Sequence, residues 1–162
     1  MPVSTGDRLP DADLLRIGDE GPEQVSLASL TRGRKVVIFA VPAAFSGTCS
    51  SQHLPSYIRT LEELSAKGVD DVICVSVNDP FVMKAWAEAS GAEAAGLTLL
   101  ADADGAFTKA MGQDFDAPPV GFFGRSQRYA MVVDDGIVGA LQVEENPGLA
   151  EVSSGEAMLA RV

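Results

Sequence analysis

Cys49 is one of two cysteines in the chain. It follows the apolar run Lys35-Val-Val-Ile-Phe-Ala-Val41 and the small, polar stretch Pro42-Ala-Ala-Phe-Ser46-Gly-Thr48, and it precedes Ser50 to Ala66, where Leu54, Ile58, Leu61 and Leu64 recur at helical spacing. Strand, turn and helix in that order put the thiol at a helix N-terminus. There, unpaired N–H groups and the positive end of the helix dipole favour an anion, and the thiolate is the nucleophilic form of cysteine. Ser46, Gly47, Thr48, Ser50, Ser51 and Gln52 are small or polar, so the spacing predicts a thiol open to a ligand rather than packed in a core. Cys74 reads differently. It lies inside Val72-Ile-Cys-Val-Ser-Val77, a continuous apolar run typical of a parallel strand covered on both faces.

Positioning such a thiol calls for a sheet with helices against it. Asp13 to Ile17 and Gln24 to Leu27, joined by Gly18-Asp-Glu-Gly21, read as an N-terminal β-hairpin. Lys35 to Val41, the helix Ser50 to Ala66, and Val72 to Val77 form a strand-helix-strand unit, a right-handed crossover that places its two strands parallel. Asn78-Asp79-Pro80 supplies a cap and an early proline for a helix whose apolar stripe reads as Val82, Ala85, Trp86 and Ala89, with Trp86 in the core. A strand at Leu97 to Ala101, a short helix at Gly105 to Met111, and the pair Gln127 to Val133 and Ile137 to Val143 around Asp134-Asp135-Gly136 complete the order ββαβαβαββ. The fold class is α/β: a central mixed β-sheet flanked by helices, compatible with a thioredoxin-like fold, in a single domain over residues 1–162.

Composition sets limits on partners. A formal charge of −11 disfavours nucleic acid and anionic lipid surfaces. No apolar segment approaches the roughly 20 residues that span a bilayer. The segment Met1-Pro-Val-Ser-Thr-Gly-Asp-Arg8 has neither the apolar core of a secretion signal nor the repeated arginines of a transit peptide, so the reading places the chain in the cytoplasm. A reducing cytosol keeps both cysteines as thiols at rest. His53, one helical turn after Cys49, invites a metal reading. Zinc needs about four ligands, and the chain has one histidine and two cysteines, so no metal is expected and His53 is assigned to packing or hydrogen bonding near the helix start. The acidic pairs Glu62-Glu63, Asp70-Asp71 and Glu144-Glu145 read as solvated surface.

Pro42-x-x-x-Ser46-x-x-Cys49 resembles the peroxiredoxin signature Pro-x-x-x-Thr/Ser-x-x-Cys. His53-Leu-Pro55, Val75-Ser-Val-Asn-Asp-Pro-Phe81, Arg128-Tyr-Ala-Met-Val-Val133 and Asp135-Gly-Ile-Val138 are similar to the type II, or peroxiredoxin 5, subfamily in particular. The resemblance implies a thiol peroxidase that reduces hydrogen peroxide and alkyl hydroperoxides without a metal or organic cofactor. It implies Cys49 as the nucleophile, which passes through a sulfenic acid. Arg128 would hold the thiolate and the peroxide oxygens, Ser46 would offer a hydroxyl to both, and Pro42 would cover the sulfur. The backbone N–H groups of Thr48 and Cys49 are further donors at the helix start.

Recycling is less constrained. Gly148-Leu-Ala-Glu-Val-Ser-Ser154 carries no cysteine where some relatives place a resolving one, whereas Cys74 falls where plant type II enzymes carry a second cysteine. A disulfide between Cys49 and Cys74 needs Cα atoms within about 7 Å, which a helix start and a buried strand reach only with local unfolding. The expectation is a one-cysteine cycle reduced by glutathione with glutaredoxin, or by thioredoxin, and the resemblance to type II peroxiredoxins implies a homodimer. Two rivals are a non-enzymatic sensor signalling through Cys49 oxidation and a thioredoxin-like electron carrier. The carrier is disfavoured because Cys49-Ser-Ser-Gln52 lacks a Cys-x-x-Cys pair.

Overall fold

The computed structural model describes residues 2–162. β1 (Asp13–Gly18) and β2 (Gly21–Ser26) form an antiparallel hairpin, β3 (Lys35–Val41), β4 (Asp71–Ser76) and β5 (Thr98–Ala101) run parallel, and β8 (Tyr129–Asp134) and β9 (Ile137–Val143) run antiparallel beside β3. Together they make one mixed seven-stranded sheet ordered β2-β1-β5-β4-β3-β8-β9. The expected α/β architecture and N-terminal hairpin are therefore present. Between β5 and β8 lies a separate hairpin, β6 (Asp114–Ala117) with β7 (Phe122–Ser126), which the sequence reading left out. Its strands are only four and five residues long, joined by a 3-10 turn that starts at Pro118 and Pro119, so they carry little periodic signal.

Alternation along β3 divides the core. Val37, Phe39 and Val41 face one apolar cluster with Cys49, Leu54, Tyr57 and Trp86, and Val36, Ile38 and Ala40 face another with Leu27, Phe107 and Met111. Helices cover both faces: α1 (Leu27–Thr31), α2 (Leu54–Ala66), α3 (Pro80–Ser90), α4 (Ala92–Ala95), α5 (Ala106–Met111) and α6 (Gly155–Leu159). The sequence reading missed α1, α4 and α6, each a turn or so of helix, too short for a 3.6-residue period to show. Ser26 and Ser154 nonetheless cap α1 and α6 through their side chains. Leu27, read as the end of a strand, is the first residue of α1.

Local chemistry accounts for the other boundaries. Asp135 and Gly136 both have positive φ, 49° and 80°, as a two-residue turn between twisted strands requires. Asp79 caps α3 by accepting from the Val82 N–H at 2.9 Å. The buried face of α3 is Met83, Trp86 and Ala87, while Ala85 and Ala89 are exposed, which corrects the predicted stripe. The rotation seats Trp86 in the core with its Nε1–H donating to Ser50 Oγ at 3.1 Å. No helix among the described residues is long and apolar enough to cross a membrane.

Candidate active site

β3 ends at Val41, and the chain turns over Pro42 to Phe45 before the helical segment. Phe45 has φ +64°, a left-handed conformation that costs a bulky residue roughly 1–3 kcal/mol. The Ala44 N–H, donating to Asn78 Oδ1 at 3.1 Å, helps fix this turn. Ser50 N–H closes the first turn on the Ser46 carbonyl at 2.9 Å, so the preceding N–H groups of Thr48 and Cys49 are those a helix start leaves without an intrahelical acceptor. Cys49–His53 then forms a π-helical turn, closed by Leu54 N–H on the Cys49 carbonyl, before α2 begins. The sequence had predicted one continuous helix from Ser50. Pro55 explains the difference: it has no N–H to give the fourth carbonyl back and its ring crowds that carbonyl, so the ladder widens by one residue just upstream.

Two donors converge on the Cys49 sulfur. Ser46 Oγ lies 2.7 Å from Sγ and 2.8 Å from the Ala43 carbonyl, both within reach of its single proton. Arg128 Nη2 donates to Sγ at 2.9 Å. The residue itself is fully buried, which corrects the expectation of an open thiol. Small polar neighbours describe the outer side of the turn; the inner side packs into the cluster containing Phe39, Leu54 and Trp86. Beside the sulfur opens a cleft of ≈ 620 Å³, with Pro42, Ser46 and Arg128 on one wall and Phe115, Val120 and Phe122 of the β6–β7 hairpin on the other.

Arg128 stands in the short link between β7 and β8 and is 2% exposed. Each of its nitrogens has a different acceptor: Nε donates to the Pro147 carbonyl at 2.8 Å, Nη1 to His53 Nδ1 at 2.9 Å and Nη2 to Cys49. None of the ion pairs among the described residues includes Arg128. A buried cation with neutral acceptors on two sides is costly unless the third is an anion, so the guanidinium favours negative charge at the sulfur.

His53, the second buried polar residue here, is held neutral. Burial and then the Arg128 charge lower its pKa from 6.5 to about 3, although the Ser153 carbonyl pulls the other way. Its Nδ1 must accept from Arg128, so Nε2 carries the proton and donates to the Ser153 carbonyl at 3.0 Å. Tyr57 donates to the same carbonyl at 2.6 Å, and burial pushes its phenol well above the ordinary value. The expectation that His53 packs and hydrogen-bonds near the helix start is met, but its contact with Arg128 was not foreseen. Among the described residues no cluster of side chains could hold a metal ion.

Glu144 corrects another expectation, because it is buried rather than solvated. Its Oε2 accepts from the N–H groups of Glu151 and Ser153 at 2.9 and 2.8 Å and from Ser153 Oγ at 2.5 Å. Glu62, Glu63, Asp70 and Glu145 are exposed as expected, and Asp71 is half-buried against Thr98. Cys74 is fully buried in β4 between Phe39 and Leu99 of the neighbouring strands, and burial, followed by the Cys49 charge, pushes its thiol well up.

The chain is similar to known proteins over nearly its whole length. The family model described as Redoxin matches residues 4–159. The chain is 46% identical over 159 residues to peroxiredoxin-2C of Oryza sativa subsp. japonica, covering 98% of this chain and 97% of that protein. It is 48% identical over 161 residues to the chloroplastic peroxiredoxin-2E-2 of the same organism, covering 97% and 71%. The crystal structure of reduced Prx3 from Vibrio vulnificus in complex with H2O2 is similar with a TM-score of 0.90 at 49% identity, over 98% of both chains. With a family model over nearly the whole chain and relatives near half identity at full coverage, the chain belongs to the redoxin family, among the type II peroxiredoxins, as a thiol-dependent peroxidase.

Proposed function

We propose that Cys49 is the peroxidatic nucleophile, that Arg128 and Ser46 are its catalytic partners, and that Pro42 shields the sulfur from water and from further oxidation. The observation that carries this reading is the convergence of Arg128 Nη2 and Ser46 Oγ on the Cys49 sulfur, at 2.9 and 2.7 Å. The thiolate attacks one peroxide oxygen in line with the O–O bond. As the S–O bond forms, the O–O bond breaks, and the departing alkoxide or hydroxide takes up a proton to leave as alcohol or water. Negative charge therefore moves from sulfur to the leaving oxygen, and donors already fixed at both ends stabilise that transfer without reorganising. Arg128 presents a rigid fork for this task, and the N–H groups of Thr48 and Cys49 add to it. The product is a sulfenic acid on Cys49.

Recovery needs an external thiol. It displaces water from the sulfenic acid to give a mixed disulfide, and a second thiol then releases Cys49. We assign this role to glutathione with glutaredoxin, or to thioredoxin, because Cys74 sits inside the sheet with its thiol strongly disfavoured as thiolate. A homodimer is part of the proposal. Phe45, Val120 and Phe123 are exposed apolar side chains in segments that frame the cleft, and a second copy would cover them.

Steady-state peroxide consumption with each reductant, together with mass spectrometry of the oxidised protein, tests the scheme. Turnover should vanish in Cys49→Ser and stay near wild type in Cys74→Ser. A Cys49–Cys74 disulfide as the main oxidised product would rule out the one-cysteine cycle. Slow, stoichiometric oxidation without turnover under both reductants would favour a sensor.

A further inference from the structure

We infer that Glu144 is a positioning residue for peroxide reduction: it sets the guanidinium of Arg128 through the loop that follows β9. Arg128 is anchored on its far side by two contacts, and both lead to that loop. Nε rests on the Pro147 carbonyl, and Nη1 rests on His53, whose other nitrogen is held by the Ser153 carbonyl. A loop has no ladder of its own to fix two carbonyls, so some group must hold it. Glu144 does this from inside. Its Oε2 gathers the N–H of Glu151 and both the N–H and the hydroxyl of Ser153, while its own N–H donates to the Arg128 carbonyl at 2.9 Å. Thr48 Oγ1, donating to the Gly148 carbonyl at 2.7 Å, ties the same loop to the helix start beside Cys49. A carboxylate without contact to sulfur or cleft thus holds the Ser153 anchor directly, while Thr48 and Asn146 hold the end of the same loop that carries the Pro147 anchor. Without it, Glu151 and Ser153 lose their common acceptor, the His53 support of Nη1 shifts with Ser153, and Nη2 no longer points at the sulfur.

The inference rests on the catalytic roles given to Cys49 and Arg128. Its test compares two rates on pre-reduced, folded protein: oxidation of Cys49 by hydrogen peroxide, which needs the aligned guanidinium, and alkylation by iodoacetamide, which has no O–O bond to polarise. Glu144→Ala should slow the peroxide reaction by about 10- to 100-fold, the scale of an ångström's misplacement, and leave alkylation unchanged or faster. Glu144→Gln keeps an oxygen where Oε2 stands and should remain within about threefold of wild type for peroxide, because an amide oxygen still accepts at the same point, though more weakly, and positioning depends on where the loop is held. Arg128→Ala serves as the reference. If Arg128→Ala keeps the peroxide rate, the catalytic reading itself fails. If Arg128→Ala loses it while Glu144→Ala stays within twofold, or if Glu144→Gln loses as much as Glu144→Ala, only the positioning role fails. Should Glu144→Ala not fold, Glu144→Gln and Glu144→Asp decide: the shortened carboxylate must slow the peroxide reaction more than the amide does, and the reverse order overturns the inference.

Discussion

His53 Nδ1 accepts a hydrogen bond from Arg128 Nη1 at 2.9 Å, so a buried cation rests against a ring that must stay neutral. Protonating the ring would remove the acceptor and set two positive charges side by side in the interior. The cost of that state appears in folding, because the unfolded chain takes up the same proton freely.

The sign follows from linkage. Unfolded His53 binds a proton near pH 6.5, while the folded residue resists it until about pH 3, so its contribution to stability is complete above 6.5 and is lost progressively as the pH falls toward 3. Within that window the slope approaches about 1.4 kcal/mol per pH unit at most. Denaturant unfolding of wild type and His53→Gln checks this. The variant offers the same donor and acceptor without the titration, so the stability difference between the two should shift in its favour on acidification. Parallel pH profiles would contradict the assignment.

Arg128 divides its nitrogens among Pro147, His53 and Cys49. An ammonium is a point donor on a flexible stem and cannot span the three. Arg128→Ala should lower kcat/KM for hydrogen peroxide by about 10²–10³-fold, the usual cost of losing one transition-state donor, and Arg128→Lys should recover only a minor part. A lysine variant near wild type would mean that charge alone suffices.

Gly155 opens α6 against α2, and a Cβ there would run into Thr60 Oγ1 and the backbone of Ser56. Its N–H donates to Ser56 Oγ at 2.8 Å. Gly155→Ala should therefore destabilise the fold by about 1–3 kcal/mol, as overpacking does, with a lower Tm in thermal unfolding. An unchanged Tm would show that the helix contact is loose.

Sequence patterns carried the sheet and the candidate site around Cys49 because both rest on local signals. Val36 to Val41 and Val72 to Val75 are apolar without interruption, and Pro42, Ser46 and Cys49 lie within one turn and its helix. The missed features are those that depend on distant partners. Glu144 looks like any surface glutamate until the backbone of Glu151 and Ser153 folds over it, and nothing within the helix tells His53 that Arg128 lies at its Nδ1. The burial of Cys49 belongs to the same class, since the side of the turn that closes on the core is written in Phe39 and Trp86. Pro55 was the one overlooked signal that could have been read, for a proline inside a helical pattern marks a disturbed turn.

The most direct measurement is the site and stoichiometry of first oxidation. Reduced protein treated with one equivalent of hydrogen peroxide in the presence of dimedone, then mapped by mass spectrometry, should carry one sulfenic-acid adduct per chain, on Cys49. An adduct on Cys74 instead, or an unmodified Cys49 with the peroxide consumed, would contradict the account.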